Sequence, residues 1–125
     1  MPGLSSIQKA QLAYLELLPP KLRRVHTVVE EMASMRVDEI ILRGLGHLLD
    51  EIRGSAAQVY LSDLADTAGL MGVMLRRKGG VPSKVRGLRE LFCSLTKSYD
   101  AALSAATTLQ QGPSSSGDGE RGLGR

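Results

Sequence analysis

Apolar residues recur every three or four positions along most of this chain, and no stretch alternates apolar with polar residues. A period near 3.6 gathers such residues on one helix face, whereas a half-buried strand needs a period of two. The pattern therefore commits the chain to helices. Aromatic residues make up only 3% of the 125 residues and Trp is absent, so the core has to be aliphatic. Hydrophobic residues at 42% and charged residues at 23% match a globular chain long enough for one domain with a modest core.

Breaks in the pattern divide it into segments. Leu4, Ile7, Gln8, Leu12, Leu15 and Leu18 mark a first helix, with Ser5 and Gln8 at the spacing of a capping box. Pro19-Pro20 interrupts it, and Leu22, Val25, Val29 and Met32 continue a second stripe to about Met35, as one kinked helix or a helical pair. Leu42, Leu45, Leu49, Ile52, Ala56 and Val59 form a third stripe behind the acidic Asp38-Glu39. Gly44, Gly46 and Gly54 lie within it, each costing about 1 kcal/mol relative to Ala, a cost that something has to offset. Ser62 is placed to cap a fourth helix through Leu64, Ala65, Ala68, Met71 and Leu75, ended by Gly79-Gly80. Pro82-Ser83 opens the last, carrying Val85, Leu88, Phe92, Leu95, Tyr99, Ala102 and Ala106 and running to about Leu109. The fold expected is all-α: an antiparallel four-helix bundle over residues 1–110, with an additional N-terminal helical segment. The Gly/Ser-rich residues 111–125 are expected to be a disordered tail.

A net charge of +3 is too mild to indicate nucleic acid, and there are no aromatic platforms for stacking on bases. The single Cys93 excludes an internal disulfide and reads as a core or boundary residue of the last helix. No apolar run reaches membrane-span length and the N-terminus lacks a signal-peptide pattern, so a cytoplasmic location is expected. Two histidines and one cysteine lie far apart, so neither a metal nor another cofactor is expected. Met32, Met35, Met71 and Met74 read as core filler.

The stretch Asp50–Asp66 carries the one motif. Ile52, Arg53, Gly54, Ser55 and Ala56, continued by Leu61, Leu64 and Ala65, resemble the histidine phosphotransfer domain of two-component and chemotaxis signalling. That family places His-x-(Leu/Ile)-(Lys/Arg)-Gly-(Ser/Ala)-(Ser/Ala) on the second helix of a four-helix bundle, and the resemblance spans roughly residues 38–109. Helical geometry gives the pattern a use. Gly54 lies one turn beyond position 50 and leaves room there, and Arg53 can neutralise phosphate charge. Small Ser55, Ala56 and Ala57 let a neighbouring helix approach closely.

At position 50, where the family carries its phosphorylatable His, this chain has Asp50. A carboxylate has no imidazole nitrogen to form a phosphoramidate. The resemblance thus implies the bundle and the docking face without the chemistry: a non-enzymatic, pseudo-phosphotransfer protein of a bacterial two-component or chemotaxis-like pathway. It would bind a response-regulator receiver domain or a histidine kinase. Asp50, Arg53, Gly54, Ala57 and His47 are the expected contacts, with Arg76, Arg77 and Lys78 as a basic rim for an acidic partner.

Two other readings stand beside it. His47, one turn before Asp50-Glu51, or His26, in RRVHTVVEE, would be the phosphorylated group of an active phosphotransfer protein. The chain would otherwise be a structural helical adaptor. For both histidines the plain reading is a surface or boundary residue without catalytic duty. The basic cluster Arg76, Arg77, Lys78, Lys84, Arg86 and Arg89 reads equally as a solvated helix end.

Overall fold

The computed structural model describes residues 6–111, and these are helical but for short connections. Five helices follow in order: α1 (Ser6–Leu17), α2 (Pro19–Ala33), α3 (Glu39–Gln58), α4 (Ser62–Arg76) and α5 (Val81–Gln111). The proposed cap at Ser5 and the tail beyond Gln111 lie outside the described residues. Contacts close a ring in which α2 packs on α3, α3 on α4, α4 on α5 and α5 on α2, while α1 rests against α2 and α5. The core is aliphatic: Val25, Val29, Met32, Leu45, Leu49, Ile52, Leu64, Met71, Leu88 and Leu95 are all buried. No helix among the described residues is long and apolar enough to cross a membrane.

Pro19-Pro20 separates α1 from α2 by a single residue, Leu18, which keeps right-handed helical backbone angles (φ −78°, ψ −32°). Pro19 has no N–H for the carbonyl of Leu15, four residues back. That carbonyl accepts instead from the Leu18 N–H at 3.4 Å and from the Tyr99 hydroxyl of α5 at 3.3 Å. Two more side chains fasten α1 to α3 and the turn after it. The Gln11 amide donates to the carbonyl of Val59 at 2.8 Å, and the Tyr14 hydroxyl to that of Ile52 at 3.3 Å. Burial is the main cause that raises the Tyr14 pKa above its ordinary value.

Several boundaries differ from the sequence expectations. Ser62 is not a cap but the first residue of α4; Leu61 holds the N-cap position without a side-chain bond, because its carbonyl accepts the first helical bond, from the Ala65 N–H at 3.0 Å. Asp38 is the true cap of α3, its carboxylate accepting from the Ile41 N–H at 2.9 Å. The fourth helix stops at Arg76, and Gly79 (φ 141°) lies in the loop beyond. Helix α5 starts at Val81 and ends at Gln111, the first residue of the expected tail. Cys93 is exposed rather than core, since the three-four stripe of α5 passes through Phe92 and Leu95 instead. Met35 is exposed as well, because α2 has already ended at Ala33.

Helices α2 and α3 end alike. Arg36 N–H reaches the carbonyl of Glu31 and Leu61 N–H that of Ala56, both at 2.9 Å, closing two Schellman turns. Such turns need one residue in the left-handed region, normally Gly, and here Met35 (φ 58°) and Tyr60 (φ 64°) take it. The Tyr60 side chain is 70% exposed, so it recovers little by packing. Tyr60→Gly is therefore expected to stabilise the fold by about 0.5–1 kcal/mol, read as a higher urea midpoint at unchanged slope.

Ion pairs join neighbouring helices at the surface. Lys21 of α2 meets Glu51 of α3, and Arg89 of α5 grips Glu30 of α2 with two bonds of 2.9 and 2.6 Å. The Arg89 bonds hold the Glu30 pKa below its ordinary value. A lowered carboxylate pKa contributes stability above the unfolded value and loses it as pH falls through the folded one. The stability difference between wild type and Glu30→Gln should thus be constant near neutrality and close below about pH 4.3. A difference that persists in acid, measured by urea unfolding across pH, would contradict this linkage.

Candidate functional site

Along α3, Leu45, Leu49, Ile52 and Ala56 are buried at a four-three-four spacing. That choice of buried face turns His47, Asp50, Arg53, Gly54 and Ala57 outward. The Asp50 side chain is 46% exposed. Gly54, one turn on, has nothing within 4 Å of where a Cβ would stand, and Gly44 is equally open. No packing in the described fold requires glycine at either position, so the helix carries their cost uncompensated. Gly46 is different, being buried against Leu75 and Arg76.

The structure brings α4 into the site. Arg76 donates to the Asp50 carboxylate at 2.9 Å across the α3–α4 groove. Its guanidinium lies between two glycines: a Cβ on Gly46 would stand 3.2 Å from one terminal nitrogen, and a Cβ on Gly72 3.1 Å from the other. Arg53 also leans across the groove, its Cδ 3.0 Å from where a Cβ of Gly69 would be. Glycines on facing helices thus make the seats of two arginines, of which Arg76 holds the Asp50 carboxylate. Arg53 forms no ion pair with Asp50 among the described residues.

Of the expected residues, Asp50, Arg53, Gly54, Arg76 and His47 gather on this α3–α4 face. His47 shares with Arg76 an open cavity of about 300 Å³, lined also by Glu39, Leu42, Arg43, Gly46 and Leu75. Ala57 lies exposed rather than under a neighbouring helix; only Ala56 is buried, and Ser55 is half-buried, donating to the Tyr14 hydroxyl at 3.1 Å. Arg77 and Lys78 are exposed past the end of α4. His26 lies apart, exposed on α2 with its ring 5.3 Å from that of Phe92. The glycine seats are not among the sequence expectations. Gly69 and Gly72 in step with Ala65 and Ala68 are the available signal, a small-residue row on the α4 face toward α3.

The arrangement holds a carboxylate compensated by one guanidinium, beside open space at Gly54 and the exposed Arg53, Arg77 and Lys78. Among the described residues no three His, Cys, Asp or Glu side chains are grouped as metal ligands. Comparison with protein-family models, with curated proteins and with solved structures finds no match for this chain.

Proposed function

We propose that the chain is a non-catalytic phosphotransfer-like protein, its helices α2–α5 forming an antiparallel four-helix bundle, that docks a receiver domain or a histidine kinase in two-component signalling. The docking surface is the α3–α4 face around Asp50, Arg53 and Gly54, rimmed by His47, Ala57, Arg76, Arg77 and Lys78. One observation carries this reading: Gly54 leaves open space one turn from an exposed Asp50, at a cost in helix stability that no packing offsets. A partner surface that enters the notch supplies a reason for the glycine. Asp50 cannot carry a phosphoramidate, so the role is occupancy, competing with or scaffolding partners that do transfer phosphate.

The test is a titration of the chain against receiver domains, followed by incubation with phosphorylated receivers. Saturable binding without phosphate on the chain is the expected result. Acid-labile phosphate lost in His47→Ala would assign transfer to His47 instead, the second reading, which is favoured by that residue's exposure beside Arg76. Loss in His26→Ala would assign it to the other histidine. Absence of binding to any receiver or kinase would leave the chain a helical adaptor.

A further inference from the structure

The outer face of α4 carries two large apolar residues that the fold leaves uncovered, Leu70 at 56% and Val73 at 54% exposure. They stand one turn apart on the same face. In line with them lie Asp66 one turn before and, one turn after, the C-cap residue Arg77, whose φ of −67° still follows the helix, so the stripe reads acid, apolar, apolar, base. Neither Asp66 nor Arg77 takes part in an ion pair among the described residues, although five pairs form elsewhere among them. The aliphatic stem of Arg53 covers Gly69 at the edge of the stripe, extending the apolar surface toward α3.

The order of the stripe is what selects its partner. The Asp66–Arg77 pair and the Leu70–Val73 pair share one midpoint, between residues 71 and 72. A two-fold axis through that point lays α4 antiparallel on the α4 of another molecule. Asp66 then faces Arg77 at both ends, and Leu70 faces Val73 twice in the middle. A parallel pairing would set like charges together, and a purely acidic partner would be opposed by Asp66. A second copy presents the complementary order by symmetry alone.

We infer that this chain self-associates through an antiparallel α4–α4 contact centred on Leu70 and Val73 and closed at each end by Asp66 and Arg77. This goes beyond the receiver-docking reading, whose centre is on α3. A contact this narrow falls below the size of a tight interface, so the dimer is weak and populated at high protein concentration.

Sedimentation equilibrium of the full chain tests it, from about 10 μM to about 1 mM, since interfaces below the standard size bind weakly. The expected result is a mass rising from 13.4 kDa toward twice that value. Leu70→Glu should abolish the rise while circular dichroism reports unchanged helix. Asp66→Arg alone and Arg77→Asp alone should each weaken association at least tenfold, because each places like charges opposite one another. An equimolar mixture of those two variants should recover it. In the mixed dimer the two introduced charges face each other at one end of the contact, and the two native charges that remain face each other at the other end. A charge pair kept only to suit the dipole of α4 gives no recovery on mixing. Wild type that stays monomeric throughout, a dimer indifferent to Leu70→Glu, or a mixture no tighter than its components would each overturn the inference. Receiver binding by the monomeric Leu70→Glu variant separates the two surfaces: it survives if only the α4 contact is lost.

Discussion

Gly54→Arg is expected to strengthen the fold and abolish docking. The position is open and exposed, so the Cβ of a new side chain meets nothing within 4 Å. Replacing glycine in a helix interior gains about 0.8 kcal/mol, which should appear as a small rise in the thermal midpoint. At the docking face the same side chain fills the notch beside Asp50, and receiver affinity should fall about 100-fold, or about 2.7 kcal/mol. Gly54→Ala should share the stability gain with a far smaller loss of binding. Calorimetric titration and thermal unfolding on the same samples measure both. Unchanged affinity in the arginine variant would exclude this face, because the variant cannot be dismissed as unfolded.

Leu49→Ala is expected to have the largest effect on stability. Leu49 neighbours Asp50 in sequence but turns inward, fully buried among the core residues. Truncating it removes apolar contacts and leaves a cavity that the surrounding helices fill only in part, for a loss of about 3 kcal/mol. For a domain of this size that is roughly 12–20 °C in the thermal midpoint. Asp50→Ala, by contrast, removes an exposed ion pair worth about 0–1 kcal/mol. A loss at Leu49 no larger than that at Asp50 would mean that α3 is not held as described.

The neighbouring residues show what a sequence can reveal. Leu45, Leu49, Ile52 and Ala56 announce their buried face by spacing, and the exposure of Asp50 and Gly54 follows from the same count. The stripes of α2, α4 and α5 are legible for the same reason. Spacing within one helix does not say which residue of another helix crosses it. Arg76 reads as a charge at the end of α4, and its bond to Asp50, 26 positions away, depends on how two helices are set against each other. The seat between Gly46 and Gly72 likewise belongs to no single segment. Cys93 and Met35 mislead because apolar character alone does not bring burial. The first falls off the α5 stripe, and the second lies past a helix that ends two residues earlier.

The seated Arg76 has a kinetic consequence. With its guanidinium on Asp50, Arg76 cancels that charge and leaves a dipole, while the neighbouring exposed Arg53 keeps its positive charge. In the proposed docking, attraction at a distance comes from Arg53 and from Arg77 and Lys78 at the margin, and added salt should slow encounter by screening those charges. For a partner docked as proposed, exchange of the Arg76–Asp50 bond for bonds across the interface should set how long it stays. The proposed docking thus assigns arrival and residence to different residues, and changes at Lys78 and at Arg76 should separate them.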